Sequence, residues 1–437
     1  SEPPVPFKAE EDYSGKLLVV GGGLAGMTAA LEAAKAGYEV VLVEKEAKLG
    51  GFLNKCKQRV TFPYKELTPT GIEELAAEVS ANPNIKVYAS AKVDEISGGP
   101  CLFNLRISQN GTQITEKVGS IIQATGWVFY DAKKLPHLGY GRFKDVVTNV
   151  EFEEMAKEGK IRRPSDGGEV KTALFIQCAG SRDPEHLPYC SSVCCLVSLK
   201  QATYLKEQDP EAVSYILYKD MRTIAQAEDF YRKAQRDGNI FIRGSAEAVG
   251  EEGGKLYVAG YDELLGEKIK IEGIDLVVLA VGMVPASKPE VVPKIKAPEG
   301  AQGADSEGMI EVAADSGFFA NRTLNLLYRQ GPELPTLRYG FPDSHFICFP
   351  YETRRTGIYT AGCIRRPMES YQAEEDAVGA AMKAIQCIEL TMRGMAVHPR
   401  AGDMSYPEFF MQRCTQCKRC TEECPFGAIN EDEKANP

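Results

Sequence analysis

Residues 16–44 leave the chain little freedom. Lys16–Val20 (KLLVV) is an apolar run of strand length, and the six residues after it are Gly21-Gly-Gly23-Leu24-Ala25-Gly26. The Ala-rich stretch from Met27 to Gly37 then has helix character with a glycine to end it, and Tyr38–Val43 (YEVVLV) is a second strand that stops at Glu44. Strand, glycine turn, helix and strand make the βαβ unit of a parallel sheet. Gly21 permits the tight turn, Gly23 lets the backbone approach a pyrophosphate, and Gly26 lets helix and strand pack closely. The helix N-terminus faces phosphate. Glu44, separated from Gly26 by 17 residues, can hold a ribose hydroxyl.

Three later features point to FAD rather than NAD. Glu44-Lys45-Glu-Ala-Lys-Leu-Gly50-Gly51-Phe52 runs past the acid into a glycine pair, a way to follow a ribityl chain and isoalloxazine. Ser120–Gly126 (SIIQATG) is a strand ending in Ala124-Thr125-Gly126. Gly357-Ile-Tyr-Thr-Ala-Gly362 is a returning strand and glycine turn, followed by Cys363 and an Ala-rich helix from about 373 to 385. That helix N-terminus would meet the flavin pyrimidine with its positive end. The chain here resembles the two-dinucleotide-binding-domain flavoproteins over roughly residues 15–395. The expected fold class is therefore α/β, Rossmann-like and thioredoxin-reductase-type, with a C-terminal ferredoxin-like iron–sulfur segment. The expected FAD-binding residues are Gly21, Gly23, Leu24, Ala25, Gly26, Glu44, Lys45, Gly50, Gly51, Phe52, Ala124, Thr125, Gly126, Gly362 and Cys363.

A second unit of the same kind is legible, without its nucleotide fingerprint. Lys171–Gln177 (KTALFIQ) is a strand, but a second Gly-x-Gly-x-x-Gly is replaced by Cys178-Ala-Gly-Ser-Arg-Asp183 and Tyr189-Cys190-Ser-Ser-Val-Cys194-Cys195. A helix from about Val193 to Lys206, the strand Val213–Tyr218, and a later strand Asp275–Val281 that runs into Gly282 complete it. The expectation is that nicotinamide does not bind here. The spacing of Cys178, Cys190, Cys194 and Cys195 leaves two readings open: ligands of a [4Fe–4S] cluster, which soft thiolates suit, or small buried thiols with one chance pair. A disulfide-reductase dyad would want Cys-x-x-Cys against the flavin, and residues 1–400 contain none.

The C-terminal motif is sharper. Cys414-Thr-Gln-Cys417-Lys-Arg-Cys420-Thr-Glu-Glu-Cys424-Pro425 is the C-x2-C-x2-C-x3-C-P run of bacterial ferredoxins. With only one such run, all four cysteines are expected to hold a single [4Fe–4S] cluster, with Pro425 turning the chain away, Phe426–Ile429 packing over it, and an outer position suited to a partner subunit. Cys56, Cys101, Cys348 and Cys387 read as buried thiols, and Cys363 as a buried thiol close to the flavin.

Eight of the 13 cysteines fall in these two groups of a 437-residue acidic chain, which argues against a secreted disulfide framework. The net charge of −10 argues against a broad nucleic-acid footprint. The longest apolar stretch, Ile274–Ala286, contains Asp275, Gly282 and Pro285 and is too short to span a bilayer. Ser1-Glu-Pro-Pro-Val-Pro has no basic n-region followed by an apolar segment, so the cytoplasm is the expected compartment. The expected organisation is an arm (1–14), a first FAD-binding segment (15–165), a second Rossmann-like unit (166–286), an irregular insert (287–350) with short elements near Asp305–Phe319 and Thr323–Tyr328, a second FAD-binding segment (351–400) and the cluster segment (401–437). The acidic runs Glu151–Glu154 and Glu422-Glu423 read as solvated, and His186, inside the Cys178–Cys190 loop, reads as a surface residue or as one that tunes or shields a cluster. Arg222 reads as a relic, a flavin-phosphate ligand or an interdomain salt bridge.

Cys178-Ala-Gly-Ser-Arg-Asp183, Tyr189–Cys195, Tyr218-Lys-Asp-Met-Arg222 and Phe241-Ile-Arg243-Gly resemble the A subunits of heterodisulfide reductases. Short for that family and with one terminal motif, the chain is most similar to the A subunits of quinone-interacting membrane-bound oxidoreductases of sulfate reducers. The resemblance implies that Cys178, Cys190, Cys194 and Cys195 ligate a [4Fe–4S] cluster, which makes two clusters beside FAD. It also implies a related flavin/iron–sulfur subunit, a haem-bearing membrane subunit holding the complex to the inner face of the membrane, and electron exchange with adenylylsulfate reductase. A heterodisulfide-reductase-like component of a sulfur-oxidising complex and a stand-alone NADH-dependent flavin oxidoreductase are the alternatives.

Overall fold

The structure is a computed structural model, and it describes residues 12–287, 323–327, 331–337, 339–343, 349–395, 397, 415 and 417–423, with the backbone also at 294–296 and 309–311. Of the expected N-terminal arm only 12–14 are described: Tyr13 packs on the first core and Ser14 N–H donates to Cys101 O at 2.9 Å.

β1 (Leu17–Val20), α1 (Leu24–Lys35) and β2 (Val40–Val43) form the first βαβ unit, with Leu17 opposite Val40 in a parallel register. Every residue of both strands is buried, which unbroken aliphatic runs require when a sheet is covered on both faces. A small antiparallel pair, β3 (Gln58–Val60) and β4 (Leu67–Pro69), precedes α2 (Ile72–Ala81) and β5 (Ile85–Tyr88), which lies parallel to β2. The meander β6 (Ala91–Ser97), β7 (Phe103–Gln109) and β8 (Thr112–Val118) buries Phe103, Leu105 and Ile107 of β7 on one face, the period-two pattern of a half-covered sheet. β9 (Ser120–Gln123) then returns beside β1.

The chain leaves this unit through β10 (Trp127–Phe129). β11 (Val146–Thr148), α3 (Asn149–Lys157), β12 (Thr172–Ala179), α4 (Cys194–Gln208), β13 (Val213–Tyr218) and α5 (Ala227–Arg236) follow. After them come three long antiparallel strands, β14 (Ile240–Glu252), β15 (Lys255–Asp262) and β16 (Glu267–Ile274), and then β17 (Leu276–Val281). The sheet order is β11-β17-β12-β13-β14-β15-β16. β18 (Met283–Pro285) runs back antiparallel to β10, with Phe129 opposite Met283.

Two expectations change here. The boundary placed at residue 165 falls inside the second unit, because β11 pairs with β17 and α3 packs on α4. The run Glu151–Glu154 is also not a solvated face. Glu151 closes a capping box with Thr148 at the start of α3, and Glu153, 1% exposed, lies 2.7 Å from Lys200 Nζ of α4 and accepts a hydrogen bond from Gln201.

In the expected insert, β19 (Lys294–Lys296) pairs with β20 (Met309–Glu311). Leu324, Leu326 and Leu334 are buried in the core under the meander, and the Glu333 carboxylate accepts the N–H groups of Thr323, Leu324 and Asn325. β21 (Ile358–Thr360) then completes the first sheet as β21-β9-β1-β2-β5. α6 (Ser370–Met392) is longer at both ends than expected and lies against α1. Ala373, Ala377, Ala380, Ala381 and Ala384 share that core with Ala29, Ala30 and Ala33, small side chains that let the two helices approach closely. α7 (Arg419–Glu422) is a short turn of helix. Among the described residues no helix is long and apolar enough to cross a membrane.

Candidate flavin and cluster sites

The glycine cradle gathers where β1, β9 and β21 end. A Cβ on Gly21 would lie 2.4 Å from Ala124 O, and one on Gly26 would lie 1.8 Å from Gly21 O, so neither position admits a side chain. Helix α1 starts at Leu24, three residues earlier than expected, because Gly26 passes Gly21 within the first turn. Gly23 caps α1 in extended conformation with no side-chain cap, which leaves the N–H groups of Leu24, Ala25 and Gly26 at an open helix end. Gly50 N–H donates to Gly22 O at 2.8 Å, and a Cβ on Gly51 would come within 3.1 Å of Gly23 Cα. The second glycine pair is thus laid against the first. Glu44 is buried, with one carboxylate oxygen on Gly22 N–H at 2.5 Å and the other on Glu46 N–H at 2.8 Å. Lys45 is not gathered with the rest: its side chain is 71% exposed, 3.9 Å from Glu46.

The returning strand delivers Gly362 to the same place. A Cβ there would strike the Ala25 side chain at 2.6 Å, and Gly362 N–H donates to Asp376 at 2.8 Å. Asp376 is in turn held by Arg365 through Nε at 3.1 Å and through Nη2, and both side chains are nearly inaccessible. Sequence reasoning missed this pair, whose partners lie 11 residues apart. Cys363 turns its thiol onto Met368 O at 3.4 Å, and burial pushes its pKa up to about 12. Thr125 accepts from Gln123 Nε2 at 3.3 Å, and Gly126 has φ +67° with nothing near its Cβ direction. Beyond it Phe52, Trp127 and Phe129 form an edge-to-face cluster with centroids 4.3–5.3 Å apart, joining the glycine pair to the crossing strand β10. The open helix end and the side-chain-free cradle fit a dinucleotide such as FAD.

The second unit brings its four cysteines together. β12 shifts register against β17 between Ile176 and Ala179, where Cys178 takes a left-handed φ of +57°. The loop is tied by a Ser181–Ser191 hydroxyl contact of 3.0 Å and by Met283 N–H on Ser191 Oγ at 2.9 Å. Gly282 is required beneath it, since a Cβ there would lie 2.1 Å from Ser181 Oγ. Cys194 and Cys195 are the first two residues of α4. Burial raises the Cys194 pKa well above the usual thiol value, and Cys178, Cys195 and Cys190 raise it further, so all four share one neighbourhood. Burial lifts Cys195 to about 11 against the opposing N–H of Arg222, which its Sγ accepts at 3.4 Å. Cys190 accepts Ser192 N–H at 3.3 Å. Burial also raises Cys178, against the nearby Arg182 guanidinium.

Among the described residues no three His, Cys, Asp or Glu side chains converge as a single metal ion would need. A cubane instead places each thiolate on a different iron, and four soft donors around a helix N-terminus fit an anionic cluster of that kind. Two further residues stand beside the set. Arg182 lies inside the Cys178–Asp183 stretch and Gln177 immediately precedes it, and the spacing of the cysteines alone singles out neither. His186 is half-buried, with its Nδ1 2.6 Å from Tyr130 Oη. Arg222 contributes its backbone N–H, while its side chain is exposed.

Of the terminal motif, Cys414, Cys424, Pro425 and Phe426–Ile429 lie outside the described residues, as does Cys348. Cys417 and Cys420 flank and enter α7, which docks on the first unit through Arg419 Nη2 to Thr353 O at 3.0 Å and Glu423 to Thr356 Oγ1 at 3.0 Å. Glu423 also pairs with Arg419 at 3.1 Å and its side chain is 17% exposed, so it is half-buried in this contact, while Glu422 is exposed as expected. Cys56, Cys101 and Cys387 are buried as expected.

Comparison with known proteins gives the same two chemistries. Residues 16–93 match the family described as FAD dependent oxidoreductase, and residues 406–429 match a 4Fe-4S binding domain. The chain is 29% identical to an iron-sulfur A subunit of the CoB–CoM heterodisulfide reductase of Methanopyrus kandleri, over 97% of its own length and 71% of that protein. It is 28% identical to the A subunit of the H2:CoB-CoM heterodisulfide,ferredoxin reductase of Methanothermobacter marburgensis, over 96% and 70%. Among solved structures it is similar in fold to thioredoxin reductases from Lactococcus lactis (TM-score 0.52, 18% identity, 86% of this chain and 99% of that one) and T. acidophilum (0.51, 16%, 87% and 100%). The chain is thus an oxidoreductase with a thioredoxin-reductase-like α/β fold, an FAD oxidoreductase domain and a C-terminal 4Fe-4S domain. Its sequence relatives are heterodisulfide reductase A subunits.

Proposed function

We propose that this chain is the electron-transfer subunit of a multisubunit oxidoreductase, holding FAD and two [4Fe–4S] clusters. The observation that carries the reading is the replacement of a nucleotide loop by four neighbouring thiols at the end of β12 and the start of α4. Bound FAD would supply exchange between two-electron and one-electron steps. Gly21–Gly26 and Glu44 would grip its dinucleotide moiety, Gly50–Phe52 and Ala124–Gly126 would border the ring side, and Gly362, in the turn after β21, would close the cradle. Cys178, Cys190, Cys194 and Cys195 would hold one cluster at a helix end whose polarity favours its negative charge. Cys414, Cys417, Cys420 and Cys424 would hold the other, kept against the Thr353–Thr356 segment by Arg419 and Glu423.

The finer reading is the A subunit of a quinone-interacting membrane-bound oxidoreductase, linking the quinone pool to adenylylsulfate reductase in sulfate reduction. Its partners would be a related flavin/iron–sulfur subunit and a haem-bearing membrane subunit, with the complex at the cytoplasmic face of the membrane. The similarity to heterodisulfide reductase A subunits supports membership of a complex with partner subunits.

The test is to isolate the chain from native cells with whatever accompanies it and to assay cofactors. The reading expects one FAD and about eight iron atoms per chain, with a haem subunit and adenylylsulfate reductase among the co-purifying proteins. Less than about four iron atoms per chain, or rapid bleaching of the flavin by NADH with the isolated chain, overturns it.

A further inference from the structure

We infer that Arg182, assisted by Gln177, sets the reduction potential of the cluster assigned above to Cys178, Cys190, Cys194 and Cys195, raising it above what the four thiolates alone would give. The inference rests on that cluster assignment and adds to it the two side chains that tune it.

Arg182 is held as a fixed charge rather than a mobile surface cation. Its backbone is left-handed (φ +55°), and its N–H donates to Tyr189 O at 3.0 Å. Its Nη2 lies 2.7 Å from Asp220 Oδ2, and the side chain is only 24% exposed. Nη1 is buried and finds no acceptor, and the residue follows Cys178 by four positions in a turn closed by Ser181 N–H on Cys178 O at 3.0 Å, near enough for the guanidinium to favour the Cys178 thiolate. Asp220 does not cancel this charge, because Arg243 Nη2 shares the same carboxylate at 3.4 Å. Arg243 is itself divided between Asp220 and Glu263, at 3.1 Å from the latter. Lys219 adds a further positive group, with Nζ 3.4 Å from Arg182 O.

Gln177 stands at the same end of β12, one residue before Cys178. It is 5% exposed, its Oε1 faces the Cys195 thiol at 3.2 Å, and its Nε2 is buried without a partner. When Cys195 is a thiolate it has no S–H to give, so the amide offers its N–H to the sulfur instead; oxygen and nitrogen of an amide exchange by a half-turn. Reduction adds one negative charge to a thiolate-ligated cluster. A nearby guanidinium and an N–H donor to sulfur both favour the reduced form.

The test uses the full-length chain with FAD and iron loaded, and reads the cluster midpoint by EPR-monitored redox titration. R182M should make this cluster harder to reduce by about tenfold in the reduced-to-oxidised ratio at a fixed poise, which is about 59 mV for one electron. R182K, which keeps the charge, should restore most of that loss, and Q177L should show a smaller shift of the same sign. The flavin and terminal-cluster midpoints should not move in any of them. If R182M fails to load iron, R182Q carries the same test. An iron-replete R182M or R182Q with an unmoved midpoint overturns the inference while leaving the cluster in place. If C194A contains as much iron as the unaltered chain, the cluster assignment itself has failed, and this inference falls with it.

Discussion

The two Rossmann-like units differ in how each connects its first strand to its first helix. In the first, three residues, 21–23, stand between β1 and α1; a would-be Cβ on Gly21 lies 2.4 Å from Ala124 O, and one on Gly26 of α1 lies 1.8 Å from Gly21 O. In the second, residues 180–193 stand between β12 and α4, and the helix opens directly on two cysteines. Both place a helix N-terminus at a strand end, where negative charge is favoured. Under the proposed function the scaffold would fix where an anion sits, and the connection would decide whether it is a pyrophosphate lying on bare backbone or a compact cluster held by sulfur.

The largest expected effects come from striking each connection separately. G26A forces a methyl into Gly21 O and should reduce bound FAD at least about tenfold by visible absorbance, with the terminal-cluster EPR signal retained. C194A should remove about four iron atoms per chain and one EPR signal while FAD stays. Loss of flavin from C194A would show that the two sites are not independent. The next effect concerns what anchors the helices. α4 is tied to α3 by the buried Lys200–Glu153 pair, whereas α1 rests on alanine packing against α6. K200M leaves Glu153 charged and buried, and should cost about 3–5 kcal/mol in denaturant unfolding. A loss below about 1 kcal/mol would mean that the pair is not what holds α4. The smallest is Y130F, which removes the hydrogen bond to His186 under the cysteine loop and should cost about 0.5–1.5 kcal/mol in the same assay, with both cofactors retained.

What was legible in the sequence was local. Gly21–Gly26 with Glu44 soon after, and the spacing Cys414 to Cys424, each carry their meaning within a short segment. The second Rossmann-like unit was legible as strands and a helix, but its extent was not: β11 and α3 join it through pairing with β17, far later in the chain. Glu153 reads as one charge in a hydrophilic run until Lys200 arrives from α4. Leu326 meets Ile96 only after the intervening unit has been made. Gln177 carries no signature because what defines it is a distance to the Cys195 sulfur, which an order of letters does not record.

The paired strands β10 and β18 have one more consequence. The outgoing and incoming chains cross side by side, Phe129 facing Met283, so the polypeptide from 130 to 282 begins and ends at a single rung. The flavin half is therefore one body written in two instalments, and the cysteine half is a cassette slipped between them, so its bound group could change over evolutionary time without redrawing the ribbon that joins it to the rest.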